Sequence, residues 1–156
     1  MARKVELEEA KQRAARFCAF QERSPKEVSD KLKSWGLPDH SADEAVRQLI
    51  TEGFVEPQRF ANAYCNDKFE FNSWGKQKIR ANIFPHKLDS DIVDRALSRI
   101  DDVRYFERVV ELASKKWTIL EGQELTKQKQ KTLAYLKNKG FESDVIWKAI
   151  NQLAAK

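Results

Sequence analysis

Glycine and proline are scarce in this 156-residue sequence, five and four residues respectively. That scarcity argues against an all-β protein, which needs tight turns at short intervals. Cysteine occurs twice, as Cys18 and Cys65, with no Cys-x-x-Cys pair and nothing in the spacing to suggest a bridge. Both lie among apolar neighbours in helical patterns, which predicts reduced, buried thiols in a cytosolic protein. Histidine is equally sparse. His40 sits beside Pro38 and Asp39 in a turn, and His86 follows Pro85; neither has the spacing of a metal ligand, and both are expected to be solvated loop residues. There is no glycine-rich phosphate loop, so nucleotide hydrolysis has no support. No constellation of catalytic side chains is present, and the chain is expected to be neither an enzyme nor a carrier of a metal or cofactor. No stretch approaches the ~18 consecutive apolar residues of a membrane span, and the polar start Met1-Ala-Arg-Lys-Val-Glu-Leu-Glu-Glu lacks a signal core. These absences predict a soluble, cytoplasmic protein with no membrane association.

What is abundant is charge. Charged residues make up 34% of the chain and hydrophobic ones 41%, a balance typical of helices with a wide solvated face. Lysine and arginine number 29 against 24 acidic residues, a net charge of +5. The distribution is uneven. Ser41–Glu56 carries −3 through Asp43, Glu44, Arg47, Glu52 and Glu56. Lys76–Lys87 carries +4, and Thr126–Gly140 carries +5 through five lysines. Segregation of this kind suits a polyanion on one face and a protein partner on another.

Helix signals recur along the chain. Ser24-Pro25-Lys26-Glu27 is a capping box with proline at the first helical position, and Gly36 is placed to end that helix. Ser41-Ala42-Asp43-Glu44 reads as a second capping box, with Gly53 as its stop. Pro57 opens a helix, Asp89 or Ser90 caps another, and Ser143 starts the last one after Gly140 ends its predecessor. The alternating run Phe69–Trp74 is short and reads as a helix end and a connector. The pattern predicts helices at 5–22, 25–35, 41–52, 57–70, 74–84, 90–100, 102–120, 124–138 and 143–154, and no strand.

An internal repeat organises these helices. Leu37, Leu88 and Phe141 lie 51 and 53 residues apart. Eight residues after each comes an alanine (Ala45, Ala96, Ala149), then an apolar residue (Val46, Leu97, Ile150), and three further on another (Leu49, Ile100, Leu153). Five residues before each lies Leu32, Ile83 or Leu136. The chain thus reads as three tandem three-helix repeats, at 1–55, 56–101 and 102–156, the third with a small insertion. The small alanine lets its helix approach a neighbour closely. A unit this small is marginal alone, so the copies should pack in series into an elongated, curved all-α molecule, with helix 102–120 bridging the second and third.

These residues resemble the RecX family of regulatory proteins over roughly residues 10 to 154. Ser24-Pro25-Lys26-Glu27-Val28, followed by Lys31-Leu32 and Gly36, resembles the family's first repeat. Gly53-Phe54-Val55 with Arg59-Phe60-Ala61 and Tyr64 is similar to the start of its second. Asn72-Ser73-Trp74-Gly75 with Lys78-Ile79-Arg80 resembles its central signature, and Tyr105-Phe106 with Lys115-Lys116 the opening of its third. The third repeat departs from the pattern in lacking a clear capping box and in its lysine-rich second helix. The run of caps and 3.6-periodic apolar faces predicts a mainly monomeric protein, and the resemblance implies a negative regulator of recombination and DNA repair. It would bind the RecA recombinase filament on single-stranded DNA and inhibit strand exchange, ATP hydrolysis and coprotease activity, with weak direct contact to single- or double-stranded DNA. The alternative is a direct DNA-binding protein made of helix-turn-helix-like modules.

The best candidate surface combines cations with an aromatic ring. Lys76 and Arg80 are four apart and share a helix face opposite the buried Ile79 and Ile83, which leaves both pointing outward, free for a partner; Lys78 lies on the flank, and Asn72 and Trp74 just precede the helix. Such a set can grip a phosphate backbone or an acidic protein surface. Arg59, Lys68, Lys115 and Lys116 extend the candidate set, as do Lys127, Lys129 and Lys131 of the third repeat. Trp35 and Trp147 fall on apolar faces and are expected in the core, while Trp117, Tyr105 and Phe106 are expected where the second and third repeats meet.

Overall fold

The computed structural model describes residues 2–156, with side chains from Glu6 onward; the readings made at Met1 to Val5 fall outside the described side chains. Among the described residues all regular structure is helical: α1 (Ala2–Phe20), α2 (Pro25–Ser34), α3 (Asp39–Thr51), α4 (Pro57–Asn72), α5 (Lys76–Ile83), a 3-10 turn (Phe84–His86), α6 (Ser90–Ser98), α7 (Asp102–Ile119), α8 (Leu125–Asn138) and α9 (Ser143–Ala154). None of these helices is long and apolar enough to cross a membrane.

The capping chemistry explains most boundaries. Ser24 Oγ accepts from the Glu27 N–H at 3.1 Å, and the Glu27 carboxylate accepts from the Ser24 N–H at 3.0 Å, so the expected capping box forms. The second box does not. Pro38, with φ −61° and ψ 155°, already sets the extended entry, and α3 starts at Asp39, which places Ser41 inside the first turn. His40 is therefore helical rather than in a turn, though exposed as expected. At α9 the N-cap residue Glu142 makes no side-chain cap, because its carboxylate accepts instead from the Tyr105 hydroxyl.

The repeated positions line the core. Leu32, Ile83 and Leu136 are buried, as are Ala45, Ala96 and Ala149, and Val46, Leu97 and Ile150. Leu49 and Ile100 are buried as well, while Leu153, near the end of α9, is half-buried. Each large side chain among them contributes about 1.5–3 kcal/mol through its removal from water. Trp147 breaks the expectation for its face. It is 36% exposed, because the buried side of α9 is already filled by Ile146, Ala149 and Ile150. Trp35 is only half-buried against the first core, with Arg13 stacked 4.2 Å from its ring.

Contacts divide the chain into two compact units, Met1–Tyr64 with Phe84–Val93, and Cys65–Ile83 with Asp94–Lys156. The second helix set, α4–α6, is thus shared out between them. In the first unit α1, α2 and α3 pack around Ala14, Val28, Leu32 and Leu49. In the second, α7 packs on α8 and α9, and these on each other.

Each unit contains one junction between successive helix sets, and the two junctions are equivalent. In the first unit Ser24, which caps α2, lies 2.8 Å from His86 Nδ1 in the turn after α5. His86 is half-buried there, stacked on Phe60 and Tyr64 with ring centroids at 4.8 and 5.7 Å, and is not the solvated loop residue expected from its place after Pro85. In the second unit Gly75, just before α5, sits on the turn after α8. Its N–H donates to the Lys139 carbonyl at 2.8 Å, and the Gln77 N–H donates to that of Gly140 at 3.0 Å. Ser24 and Gly75 are 51 residues apart, His86 and Lys139 53, the spacings of the repeat itself. The residue after each receiving position is left-handed: Lys87 has φ 56° and Gly140 φ 96°.

Gly75→Ala should lower stability by about 2–4 kcal/mol, because its Cβ would run into the Gly140 backbone. Lys87→Gly should instead raise it by about 0.5–1 kcal/mol, through relief of a left-handed conformation that suits only glycine. Urea unfolding followed by circular dichroism checks both signs. The thiols yield a second expectation. Cys65 is buried, and burial pushes its thiol up to about 11; Cys18 is half-buried and raised for the same reason. Both are free. At pH 8 Cys65 should react with a disulfide reagent only after unfolding, and Cys18 slowly in the folded chain. As pH rises from about 9 towards 11 the unfolded thiol ionises before the folded one, so stability should fall across that interval.

Candidate binding surface

The Gly75 junction fixes what surrounds it. α4 ends at Asn72, Ser73 turns left-handed at φ 54°, and Trp74 follows with its N–H donating to the Lys68 carbonyl at 3.1 Å. The half-buried indole has two ammonium groups beside it, Lys68 Nζ at 5.0 Å and Lys78 Nζ at 4.9 Å from the ring centroid. Lys139, at the C-cap of α8, places its Nζ 3.3 Å from the Asn72 carbonyl. Lys68, Asn72, Trp74, Lys78 and Lys139 therefore form one basic-aromatic surface within the second unit. Its ring is held by cations of the kind that also attract phosphate.

The other two cations of the central helix are otherwise engaged, against the expectation that both face a partner. The Lys76 Nζ lies 5.0 Å from the Tyr105 ring, and its backbone N–H donates to the Tyr105 hydroxyl at 2.9 Å. Arg80 pairs with Asp94 at 2.8 Å. Lys76 is turned aside because Tyr105 is the pivot of the junction. Buried between Phe69 and Phe141, at centroid distances of 5.7 and 5.3 Å, it packs where the second and third helix sets meet, as expected. Burial first, and then the bond to Glu142, push its hydroxyl well above the ordinary tyrosine range. Phe106 is half-buried under the Lys148 ammonium, and Trp117 is half-buried with its carbonyl accepting from Gln128 at 3.0 Å.

The remaining candidates are dispersed. Arg59 belongs to the first unit, where it pairs with Glu22 at 2.6 Å and donates to the Gly53 carbonyl at 3.1 Å, a structural clamp. Lys115 pairs with Glu111, and Lys116 lies 5.3 Å from the Tyr135 ring. Lys127 and Lys131 are exposed on α8 and Lys129 is half-buried, while the opposite face of that helix buries Gln128, Thr132 and Leu136. Lys131 donates to the Gln123 side chain at 2.8 Å.

Two residues that position the surface were not singled out in the sequence. Lys139 reads there as one lysine among five. Arg108 gave a weaker signal, a lone arginine between the buried positions Tyr105 and Val109. Its guanidinium donates to the Phe69 carbonyl at 2.8 Å and to Ser73 Oγ at 3.0 Å, and lies 4.7 Å from the Phe69 ring. It thereby holds the carbonyl end of α4 from which Trp74 departs. Glu70 accepts from Arg104 at 2.9 and 2.5 Å and pairs with Arg108 at 3.4 Å. The hydrogen bonds from Arg104, with the charge of both arginines, hold its carboxyl below the usual value.

Comparison with known proteins places these features in one family. RecX models for the first, second and third three-helix domains match residues 10–49, 58–97 and 102–150, which is most of the chain. The regulatory protein RecX of Chlorobium phaeobacteroides is 28% identical over 140 residues, 90% of each chain. That of Bacillus subtilis is 30% identical over 151 residues, 95% of this chain; this chain spans 56% of that protein and 50% of the Oceanobacillus iheyensis relative. The crystal structure of RecX from Lactobacillus salivarius superposes with a TM-score of 0.91 over 98% of this chain and 99% of that one, at 24% identity, a likeness of fold.

Arg108→Ala should cost about 1–3 kcal/mol, since the Phe69 carbonyl and Ser73 lose their donor, and should red-shift the emission of Trp74 as the connector loosens. A thermal melt and the fluorescence difference against Trp74→Phe measure the two effects. Because the Glu70 carboxyl is held below its unfolded value, its contribution should be present above about pH 4.5 and lost as pH falls below that. Glu70→Gln should flatten that acid limb.

Proposed function

Because this chain belongs to the RecX family of regulatory proteins, we propose that it acts by binding rather than by catalysis, and that its partner is a RecA recombinase filament on single-stranded DNA. The single observation that carries the reading is the Lys68–Trp74–Lys78 group, set at the junction of two of the three helix sets and flanked by Lys139. A groove between filament protomers offers carboxylates and the DNA backbone, and cations around a planar ring are suited to both. Three tandem sets let weak contacts add along successive protomers through effective concentration. The outcome is restraint of strand exchange, ATP hydrolysis and coprotease activity, in the cytoplasm where the filament forms. Repeat limits of 1–55, 56–101 and 102–156 are part of the proposal.

A second reading, direct binding of DNA by helix-turn-helix-like modules, is favoured by the same half-buried indole with its two cations, since aromatic rings and cations together serve nucleic-acid binding. The two differ in their dependence on RecA and on salt. A plain DNA binder loses affinity steeply with salt and is indifferent to RecA, whereas a filament regulator acts well below one molecule per protomer.

Titration into a RecA ATPase assay on single-stranded DNA tests the proposal. The parent should inhibit at substoichiometric amounts. Lys68→Glu with Lys78→Glu should stay folded, at a cost of about 1–2 kcal/mol from the two partly exposed cation–π contacts to Trp74, yet raise the half-inhibiting concentration about tenfold or more, the equivalent of losing about 1.4 kcal/mol of binding. Reversal of Lys127 and Lys131 is the control for general electrostatics; an equal loss there would remove the special role of the Trp74 surface. No inhibition by the parent would refute the proposal.

A further inference from the structure

The chain builds the same junction twice and holds the parts for a third. A connector that leads into the second helix of one set sits on the turn that follows the second helix of the next. Ser24 does so on His86, and Gly75 on Lys139 and Gly140. By the repeat spacing, the corresponding turn of the first set is Trp35-Gly36-Leu37. Its backbone has the same form, with Gly36 at φ 97° against 96° at Gly140. Among the described residues no atom lies within 4 Å of a Cβ built on Gly36, whereas one on Gly140 would meet Lys78. Beside this turn runs a groove of about 360 Å³ lined by Glu6, Glu9, Ala10, Arg13, Trp35 and Leu37.

The matching connector of the third set, between α7 and α8, is equally bare. Ile119 is 73% exposed and Leu125 52%, and a Cβ on Gly122, between them, would meet nothing within 4 Å. A solenoid normally ends in a polar outer face, and these two side chains are not one. Around the turn Arg13 and Lys31 lie 4.2 and 5.9 Å from the Trp35 ring, with Glu6 and Glu9 along the groove; the connector carries Glu121 and Glu124, both exposed, which can pair with the two cations at the ring.

We infer that the α7–α8 connector of one copy docks on the Trp35–Leu37 turn of a second copy, which continues between molecules the junction used within each. The two surfaces involved are different, so the contact is head-to-tail. One connector on one turn is a small interface, which makes the affinity weak, on the order of 0.1–1 mM. The monomer expected from the sequence is then the dilute state. Copies held side by side on a common polymer would meet at far higher effective concentration.

Sedimentation equilibrium of the whole chain alone, from about 10 µM to about 1 mM, tests this across the predicted affinity range. The weight-average mass should climb above the monomer with concentration. A tail variant, Ile119→Arg with Leu125→Arg, and a head variant, Arg13→Glu with Lys31→Glu, change exposed residues and should retain parental helicity. Each alone should remain monomeric. Mixed in equal amounts they should form a one-to-one dimer and nothing larger, because only one intact head and one intact tail remain. A parent that stays monomeric throughout, or variants that associate as the parent does, would each overturn the inference. No recombinase or DNA is present, so the result is independent of the function proposed above.

Discussion

The close approach of Gly75 to Gly140 is the contact on which the second unit depends. Two backbone N–H groups entering α5 donate to the two carbonyls leaving α8, and the absence of a side chain at Gly75 is what lets the chains meet. This satisfies polar groups at the start of one helix and the end of another with each other, where burial would otherwise leave them costly. Tyr105 then closes the arrangement. Its ring fills the space between Phe69 and Phe141, and its hydroxyl accepts from Lys76 and donates to Glu142, so a polar atom in the core is satisfied on both sides.

The candidate surface follows from that junction. Trp74 is the residue immediately before Gly75, so the backbone that seats the glycine also sets where the indole emerges. Lys68 and Lys78 reach it from the helices on either side of the connector, and Lys139 comes from the turn on which Gly75 rests. Arg108 stiffens the approach by holding the end of α4. A binding ring mounted on a buried backbone contact loses little freedom when a partner arrives, which is how preorganisation favours affinity.

The first unit solves the same packing problem with different chemistry. In place of glycine on glycine it sets a buried serine against a half-buried histidine, with Phe60 and Tyr64 packed around the imidazole. Ser24 already caps α2, so one hydroxyl serves both the local helix and the longer-range junction. The repeat therefore keeps a spatial relation more closely than it keeps residue types, and this is why the shared packing role of Ser24 and Gly75, and of His86 and Lys139, does not show in their residue types although their spacing matches the repeat.

Local chemistry was legible in the sequence: the Ser24 capping box, the glycine stops, the proline at the start of α4, and the alanine-centred apolar pattern that marks three copies. These depend on residues within a turn or two of one another, so spacing alone determines them. The helix faces that bury Leu32, Ile83 and Leu136 were legible for the same reason. What each cation does was not. Lys76 and Arg80 occupy the outward face that their spacing assigns, yet Tyr105, 29 residues from Lys76, and Asp94, 14 residues from Arg80, claim them once the chain folds. His86 reads as a loop residue until Ser24 and Phe60 are brought to it. Lys139 reads as one lysine of a run until the α8 turn carries it to Asn72. A helical pattern determines which way a side chain points from its own axis, but the partner it meets is set by which other helix lies there, and that only the tertiary packing decides.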